Sequence, residues 1–273
     1  MYIRYNKVCK KRGWLRSGLF IVFPLLLSVH CQRVQEPDIA LYSGQGCWQE
    51  SALAFKKMSE WMGHTVKFID ADYINKEGLE DFKILCIPGG DVRQYAQEIS
   101  LEGKKNIKKF IIGGGGYIGI CGGACFAGGK FILQGEELPI RTLELYPSKS
   151  KALINEIGPI PRGGMIKVTI DDAMHPITKS EQDSMWIFYL GTPILFQNQD
   201  KNMAVLGRYS TGNEPMMIVF EYGEGRVFIT GANLEIEVDS YRDGTAPYDE
   251  LDDKGSDWYL MKKAVLWCLK EIN

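Results

Sequence analysis

The chain has 273 residues and a net charge of −2, and 45% of its residues are hydrophobic while 24% are charged. This amount of apolar sequence is sufficient to fill the core of one large domain, and the chain contains no repeat and no low-complexity stretch. The charge balance gives no reason to expect nucleic-acid binding, which needs basic stripes, so we expect no nucleic-acid partner.

The first 31 residues differ from the rest of the chain. Six basic residues and no acidic residue lie before Cys31, together with an apolar run of twelve residues over Gly18–Val29. This length is typical of a signal peptide and falls short of the ~20 residues that a membrane-spanning helix requires, although a short uncleaved anchor is the alternative. Cys31 also permits a lipoprotein leader, but His30 is not the small residue that usually precedes a lipidated cysteine. We therefore expect residues 1–31 to be a signal peptide or lipoprotein leader.

Removal of the six positive charges of the leader leaves a net charge of about −8 on the rest of the chain. We expect residues 36–273 to form a single exported domain that is periplasmic or associated with the cell envelope. Its contact with a membrane would run only through the leader or through a lipid on Cys31.

Strands and helices alternate in the first half of the chain. The predicted order is a strand at 38–42, a helix at 49–61, strands at 66–69 and 84–87, a helix near 104–110 and a strand at 117–120. Such alternation indicates βαβ units and a parallel sheet. The second half is richer in strands, with candidates at 165–170, 184–190, 203–208 and 217–222, a hairpin turn at Gly223–Gly225 and a closing helix near 257–269. We therefore expect helices on both faces of a mixed sheet, with a β-rich C-terminal half.

The most informative segment is Gly113-Gly-Gly-Gly-Tyr-Ile-Gly-Ile-Cys121-Gly-Gly-Ala-Cys125. A cysteine with glycine two residues before and two residues after it, placed between a strand and a helix, is the pattern of a nucleophile elbow. Free N–H groups at the start of the following helix would favour the thiolate form of Cys121. The alternative is a glycine-rich turn whose cysteine only packs in the core.

Together with Ile87-Pro-Gly-Gly-Asp91 and Tyr222-Gly-Glu-Gly-Arg-Val-Phe-Ile-Thr-Gly231, this segment resembles the class I glutamine amidotransferase-like superfamily, and most closely the family named after the N-terminal domain of biotin-protein ligase. The resemblance implies a three-layer sandwich with a mostly parallel sheet. It also implies that Cys121 is the nucleophile and that N–H groups of Gly89, Gly90 and Gly122 form an oxyanion hole. As an alternative, Pro-Gly-Gly is also an ordinary turn at the end of a strand.

The segment that follows the last predicted core strand departs from the superfamily pattern. Where those enzymes carry His-Pro-Glu, this chain reads Asn233-Leu-Glu235, and an amide cannot accept the thiol proton. Glu235 remains as the third member of the catalytic set. Of the other histidines, we expect His64 to lie at the opposite edge of the sheet, which leaves His175 as the alternative base.

Two main functions remain open at this point. The first is a cysteine-dependent amidase or acyl-transfer hydrolase that uses Cys121, Gly90, Gly122 and Glu235. The second is a non-catalytic domain that binds a small-molecule or peptide-like ligand or an envelope partner, with Gly89, Asp91, Tyr117 and Asn233 as expected binding residues. Further aromatic residues are candidates for the pocket wall: Trp48, Trp186 and Tyr189.

A thiol redox role is the third hypothesis, with Cys121 paired to Cys125 or Cys47. The cysteines and histidines lack metal-ligand spacing, so we expect no metal and no cofactor. The acidic run at residues 249–257 lacks the ligand pattern of an EF-hand and is expected to be a solvated loop. No signature of a biotin ligase catalytic domain is present, and biotin transfer is not implied.

Overall fold

The computed structural model describes residues 37–76, 78–146, 149–152, 157, 163–191, 194–195, 203–237, 241–244 and 256–273. The leader and Cys31 therefore lie outside the described residues, as does most of the acidic run at 249–257. The described part belongs to one compact unit that spans Gln35–Asn273.

Thirteen strands are present among the described residues. In chain order they are β1 (Ile39–Tyr42), β2 (Val66–Ile69), β3 (Ile84–Ile87), β4 (Gly116–Ile120), β5 (Lys130–Leu133), β6 (Glu136–Glu137), β7 (Lys149–Ala152), β8 (Gly164–Ile170), β9 (Ser184–Tyr189), β10 (Ile194–Leu195), β11 (Met203–Tyr209), β12 (Pro215–Tyr222) and β13 (Gly225–Thr230). Six α-helices accompany them: α1 (Gln49–Trp61), α2 (Ala71–Lys76), α3 (Val92–Glu98), α4 (Leu101–Ile112), α5 (Gly122–Ala127) and α6 (Trp258–Cys268). A 3-10 helix covers Tyr241–Asp243.

Nine of the strands form the central sheet, in the spatial order β2-β1-β3-β4-β13-β12-β11-β8-β9. Within this spatial order, the first five strands (β2, β1, β3, β4 and β13) pair in parallel with their neighbours. The pairings that follow, from β13 through β12, β11 and β8 to β9, are antiparallel. The sheet is therefore parallel in one half and antiparallel in the other. A second sheet has the order β10-β7-β5-β6 and lies in the β-rich part of the chain.

Burial explains why the parallel strands read as continuous apolar runs. Every residue of β1, β3 and β4 is buried, because helices cover both faces of this part of the sheet. Residues of α1 and α6 pack in the core on one face, and residues of α2, α3, α4 and α5 pack in the core on the other. The expected three-layer α/β sandwich is confirmed.

Several predicted elements match the structure within a residue or two. The predicted bounds of α1, β2 and β3 coincide with the observed ones, and the turn after Tyr222 joins β12 to β13 as an antiparallel hairpin. The helices α2 and α3 and the second sheet were not predicted. Among the described residues, no helix has the length and apolar character needed to cross a membrane.

The topology brings several chain segments to one edge of the sheet. In a parallel sheet all carboxyl ends lie at the same edge, and loops beyond that edge form ligand sites in open α/β folds. Here the residues after β1, β3, β4 and β13 meet, namely 43–48, Pro88–Gly90, Cys121 and Gly231–Glu235.

Candidate active site

Cys121 joins β4 to α5 in a conformation that side chains rarely adopt. Its φ is 49° and its ψ is −107°, and the helix begins at the next residue, Gly122. The turn is fixed on both sides, because the Cys121 N–H donates to Thr230 O of β13 at 2.8 Å and the Cys121 carbonyl accepts from Ala124 N at 3.1 Å. A strained conformation persists only where its surroundings enforce it, and such positions cluster at functional sites.

Close backbone contacts explain the glycines after Cys121. A Cβ on Gly122 would stand 2.1 Å from the carbonyl oxygen of Gly90, and one on Gly123 would stand 1.9 Å from Ile87 O. Only glycine permits this approach. The segment therefore places the Cys121 turn directly against the turn that follows β3.

Gly89, in the turn after β3, forms three hydrogen bonds. The N–H of Gly89 donates to Ser51 Oγ at 2.9 Å, while Gly89 O accepts from Trp48 N at 2.8 Å and from Tyr95 Oη at 2.9 Å. The Gly89 N–H is therefore not free to serve as an oxyanion donor, because Ser51 occupies it. The N–H groups of Gly90 and Gly122 interact with the Cys121 sulfur and remain as the donor pair of the site.

The electrostatic environment keeps the Cys121 thiol protonated. Burial raises the pKa of Cys121 to about 12, and the charge of Glu235 acts in the same direction. The N–H groups of Gly122 and Gly90 lower this pKa but do not offset the desolvation. The thiolate that the position before a helix led us to expect is therefore not favoured at neutral pH.

Asn233 and Glu235 form a buried pair at the same edge. Both are fully buried, and Asn233 Nδ2 donates to Glu235 Oε1 at 3.0 Å. The same Oε1 accepts from Ser51 Oγ at 2.5 Å. Asn233 Oδ1 and Glu235 Oε2 have no hydrogen-bond partner within the described part of the chain. Burial raises the pKa of Glu235 to about 7, with hydrogen bonds from Ser51 and Asn233 opposing the shift and Asp243 adding to it.

Neither described histidine is placed to act on Cys121. His64 lies 3.6 Å from Asp38, just before β1 and β2 begin, which is the opposite edge of the sheet. The ring of His175 packs on Trp267, whose carbonyl accepts from Arg226 at the start of β13. Cys121 contacts the end of that strand, four residues or about 13 Å further along. The alternative that His175 is the base is therefore wrong.

A cavity of about 190 Å³ opens beside the sulfur. Phe131 and Leu133 of β5 and Ala152 of β7 supply an apolar wall, so the second sheet contributes directly to the site. The remaining lining residues come from the turns and helices around Cys121: Gly90, Asp91, Val92, Arg93, Cys121, Gly122, Cys125 and Gly191. Asp91 caps α3 by accepting from Arg93 N at 2.9 Å, and its carboxylate also pairs with the Arg93 guanidinium at 2.5 Å.

The aromatic residues considered from the sequence take other places. Tyr117 is fully buried, and its hydroxyl donates to Gly123 O at 2.8 Å, so it stabilises the turn that carries Cys121. Trp48 packs near Phe188, with ring centroids 6.4 Å apart. Trp186 on β9 is 41% exposed, and Tyr189 is buried in the core. The structure does not place any of these four in the wall of the Cys121 cavity.

The described cysteines are all free thiols. Cys125 faces the same cavity as Cys121, while Cys47 donates to Trp48 O at 3.4 Å. Burial raises the pKa of all three thiols, and that of Cys47 to about 12. Among the described residues, no group of three or more histidine, cysteine or acidic side chains could hold a metal ion.

Sequence reasoning missed several residues that shape the site, and four of them show why. Ser51 lies in the first turn of α1, and nothing in its local pattern points to Glu235, which is 184 residues away. Phe131, Leu133 and Ala152 belong to the second sheet, whose short strands carry only a weak local signal. The apolar run Lys130-Phe-Ile-Leu133 was the one feature that could have indicated a strand here.

Comparison with protein families gives a match over most of this domain. The model of the family described as "Biotin-protein ligase, N terminal" matches residues 37–257. The chain belongs to this family. A comparison with curated protein sequences gave no match.

Solved structures place this family member in a broad fold group. A glutamine amidotransferase from Thermotoga maritima is 10% identical, with 85% of this chain and 99% of that chain covered and a TM-score of 0.55. A protein from Thermoplasma acidophilum described as one component of a GMP synthase is 15% identical (86% and 97% covered, TM-score 0.53). A protein from Bacteroides uniformis described as ThuA-like is 14% identical (86% and 92% covered, TM-score 0.56). The fold is therefore that of the class I glutamine amidotransferase-like superfamily, as the motifs predicted.

Proposed function

We propose that this domain binds a small ligand with a carbonyl or carboxylate group at Cys121 and does not turn it over. The oxygen of the ligand would accept hydrogen bonds from Gly90 N and Gly122 N, which already interact with the sulfur. Two converging N–H groups are the donor set that stabilises a carbonyl oxygen or an anion. The ligand therefore needs at least one strong acceptor at its buried end.

The size and wall of the cavity limit the rest of the ligand. A volume of about 190 Å³ corresponds to about six water molecules at ~30 Å³ each, and it is smaller than the ~300 Å³ at which drug-sized pockets begin. The apolar wall of Phe131, Leu133 and Ala152 favours a short hydrocarbon part. These features support a short-chain carboxylic acid or amide, or the end of a peptide-like molecule.

The single observation that carries the proposal is the hydrogen bond from Asn233 to Glu235. In this arrangement the carboxyl group that would orient a base holds an amide, and an amide takes no proton from a thiol. The raised pKa of Cys121 leaves almost no thiolate at neutral pH. Binding through the two N–H groups requires neither a base nor a thiolate.

A cysteine-dependent amidase or acyl-transfer hydrolase is the second candidate. It is favoured by the φ of 49° at Cys121, since a nucleophile elbow maintains this strain to present its side chain. In such an enzyme, Glu235 would be the nearest remaining group with a pKa close to neutral. Slow turnover that depends on both Cys121 and Glu235 would identify this candidate.

The place of action is also a proposal. We propose that the leader at residues 1–31 exports the domain, so that it meets its ligand in the periplasm or at the cell envelope. A lipid on Cys31 or the uncleaved leader would then hold the domain at the membrane.

The test is an NMR titration of the ¹⁵N-labelled protein with sodium butyrate and with butyramide. We expect saturable shifts of the Gly90 and Gly122 amides for at least one of these probes. Ala152→Leu should abolish the shifts because it fills the cavity, whereas Lys151→Leu changes the neighbouring residue on the opposite face of β7 and should preserve them. Absence of shifts at Gly90 and Gly122 with both probes, or equal shifts in both variants, would contradict the proposal.

A further inference from the structure

A chain of three hydrogen bonds links Asn233 to the turn after β3. Asn233 Nδ2 donates to Glu235 Oε1 at 3.0 Å, and Ser51 Oγ donates to the same oxygen at 2.5 Å. Ser51 Oγ in turn accepts from Gly89 N at 2.9 Å. All four residues are buried, and the end of the chain lies next to Gly90, one of the two N–H donors at Cys121.

Ser51 behaves differently from an ordinary buried serine in a helix. In mid-helix such a hydroxyl can donate to the carbonyl four residues earlier, as Ser59 does to Phe55 O at 2.8 Å. Ser51 lies in the first turn of α1, where the residue four earlier, Cys47, precedes the helix. The Ser51 hydroxyl instead leaves its helix and bridges two other elements, the segment after β13 and the turn after β3. Since a hydroxyl has one proton, donation to Glu235 leaves its lone pairs for the N–H of Gly89.

Glu235 has no imidazole to orient in this site, so its presence needs another explanation. It is fully buried and forms no ion pair with a described residue, so its retention is not explained by surface electrostatics. Its Oε1 accepts both hydrogen bonds of the network, and this oxygen can do so whether or not Oε2 carries a proton. The network therefore works with a neutral carboxyl group as well as with a carboxylate.

We propose that Glu235 and Ser51 are positioning residues that fix the N–H of Gly89 and so aim the N–H of Gly90 into the Cys121 cavity. The inference rests on the proposed function only in that the aimed N–H group contacts the ligand. Glu235 would then have a role that differs from orienting a base. It acts through Ser51 on the donor side of the site.

The other restraints on this turn provide matched controls. Gly89 O has two donors, Trp48 N and Tyr95 Oη, so Tyr95→Phe leaves one of them in place. Gly89 N bonds to Ser51 Oγ, so Ser51→Ala removes its acceptor. Ser59→Ala deletes the same atom from the same helix without touching the turn. Glu235→Gln keeps an oxygen at Oε1, whereas Glu235→Leu keeps the volume and removes the acceptor.

The experiment measures amide hydrogen exchange at Gly89 and the ¹H–¹⁵N shift of Gly90 in the ligand-free, full-length protein. We expect exchange at Gly89 to accelerate about tenfold or more in Ser51→Ala and Glu235→Leu, with a displaced Gly90 signal. Ser59→Ala, Tyr95→Phe and Glu235→Gln should stay within about twofold of the unmodified protein, because each keeps Ser51 Oγ and the oxygen at position 235 that holds it. A Ser51→Ala protein that matches Ser59→Ala in both readouts would overturn the inference, as would a folded Glu235→Gln protein that behaves like Glu235→Leu.

A butyrate titration of the same variants separates this inference from the proposed function. If the unmodified protein binds butyrate, Ser51→Ala should weaken the affinity about tenfold while Ser59→Ala leaves it unchanged. If the unmodified protein does not bind butyrate, the proposed function loses its support, but the ligand-free exchange and shift data still decide the roles of Ser51 and Glu235. Should Ser51→Ala fail to fold, the comparison of Glu235→Gln with Glu235→Leu gives the same decision.

Discussion

Asn233 Nδ2 donates a 3.0 Å hydrogen bond to Glu235 Oε1, and both side chains are completely buried. The two residues follow β13, the strand whose last residue, Thr230, also accepts the N–H of Cys121. The same edge of the sheet thus holds a strained cysteine, two N–H donors and a buried carboxyl group, and the side chain bonded to that carboxyl group is an amide. Under the proposed function, this amide is the reason that the site holds a carbonyl group without activating the thiol.

Replacement of Asn233 by histidine should restore an activated thiol. An imidazole at this position can donate through Nδ1 to Glu235 and present its other nitrogen toward Cys121. We expect the alkylation rate of Cys121 at pH 7.5 to rise by about tenfold or more relative to the unmodified protein. Peptide mass spectrometry after a timed exposure to iodoacetamide measures this rate.

Asn233→Gln is the control for the histidine variant, because it lengthens the side chain without adding a base. If both variants fold and alkylate at the same rate, Asn233 does not stand between Cys121 and Glu235, and the account of the missing base is incorrect.

Stability should depend on the protonation of Glu235. Its pKa is raised from 4.5 to about 7 by burial, so the folded state binds more protons than the unfolded state between these values. The free energy of unfolding should therefore fall as the pH rises from about 4.5 to about 7, by up to about 3 kcal/mol from this group. Glu235→Gln should remove this part of the pH dependence in urea unfolding curves. The control is Glu136→Gln on β6, because Glu136 is exposed and its replacement should not change how the free energy of unfolding depends on pH. If the unmodified protein, Glu235→Gln and Glu136→Gln all show the same pH dependence, Glu235 is not the buried carboxyl group responsible.

The contact between Gly122 and Gly90 should be intolerant of any side chain. A methyl group on Gly122 would stand 2.1 Å from Gly90 O, so Gly122→Ala must separate the two turns and should cost about 3 kcal/mol. Gly113→Ala is the comparison, because its φ is −78° and the nearest atom to its Cβ would be 3.3 Å away. That change should cost about 1 kcal/mol or less. If thermal unfolding shows Gly113→Ala to be less stable than Gly122→Ala, the close contact between Gly122 and Gly90 O is incorrect.

Asp91 should contribute more to the free energy of unfolding by capping the start of α3 than by its ion pair with Arg93. Its carboxylate accepts from Arg93 N at 2.9 Å, and the side chain of Arg93 is 57% exposed, so the pair itself is worth little. Asp91→Ala should lower the free energy of unfolding by about 1 kcal/mol, whereas Asp91→Asn should keep most of the capping energy. Equal losses in urea unfolding would instead assign the stabilisation to the charge on Asp91.

The sequence was sufficient to predict the parallel half of the fold, because buried parallel strands such as β3 and β4 are continuous apolar runs between glycines. It also indicated that Cys121, Gly90 and Gly122 would converge, since turns after parallel strands share an edge. The role of Gly89 was predicted incorrectly, because the acceptor of its N–H, Ser51, is supplied by a helix that precedes it by 38 residues. The pKa of Cys121 was also misjudged from local sequence. Its direction is set by desolvation and by Glu235, which come from tertiary packing and not from the helix that follows it.

The most direct test of the account is the alkylation rate of Cys121 in the unmodified protein as a function of pH, read by peptide mass spectrometry. Because burial raises the pKa of this thiol to about 12, the rate should rise about tenfold per pH unit from pH 6.5 to 9.5 without a plateau. A plateau reached below pH 8.5 would show a stabilised thiolate, contradict the account of an unactivated cysteine, and favour the hydrolase.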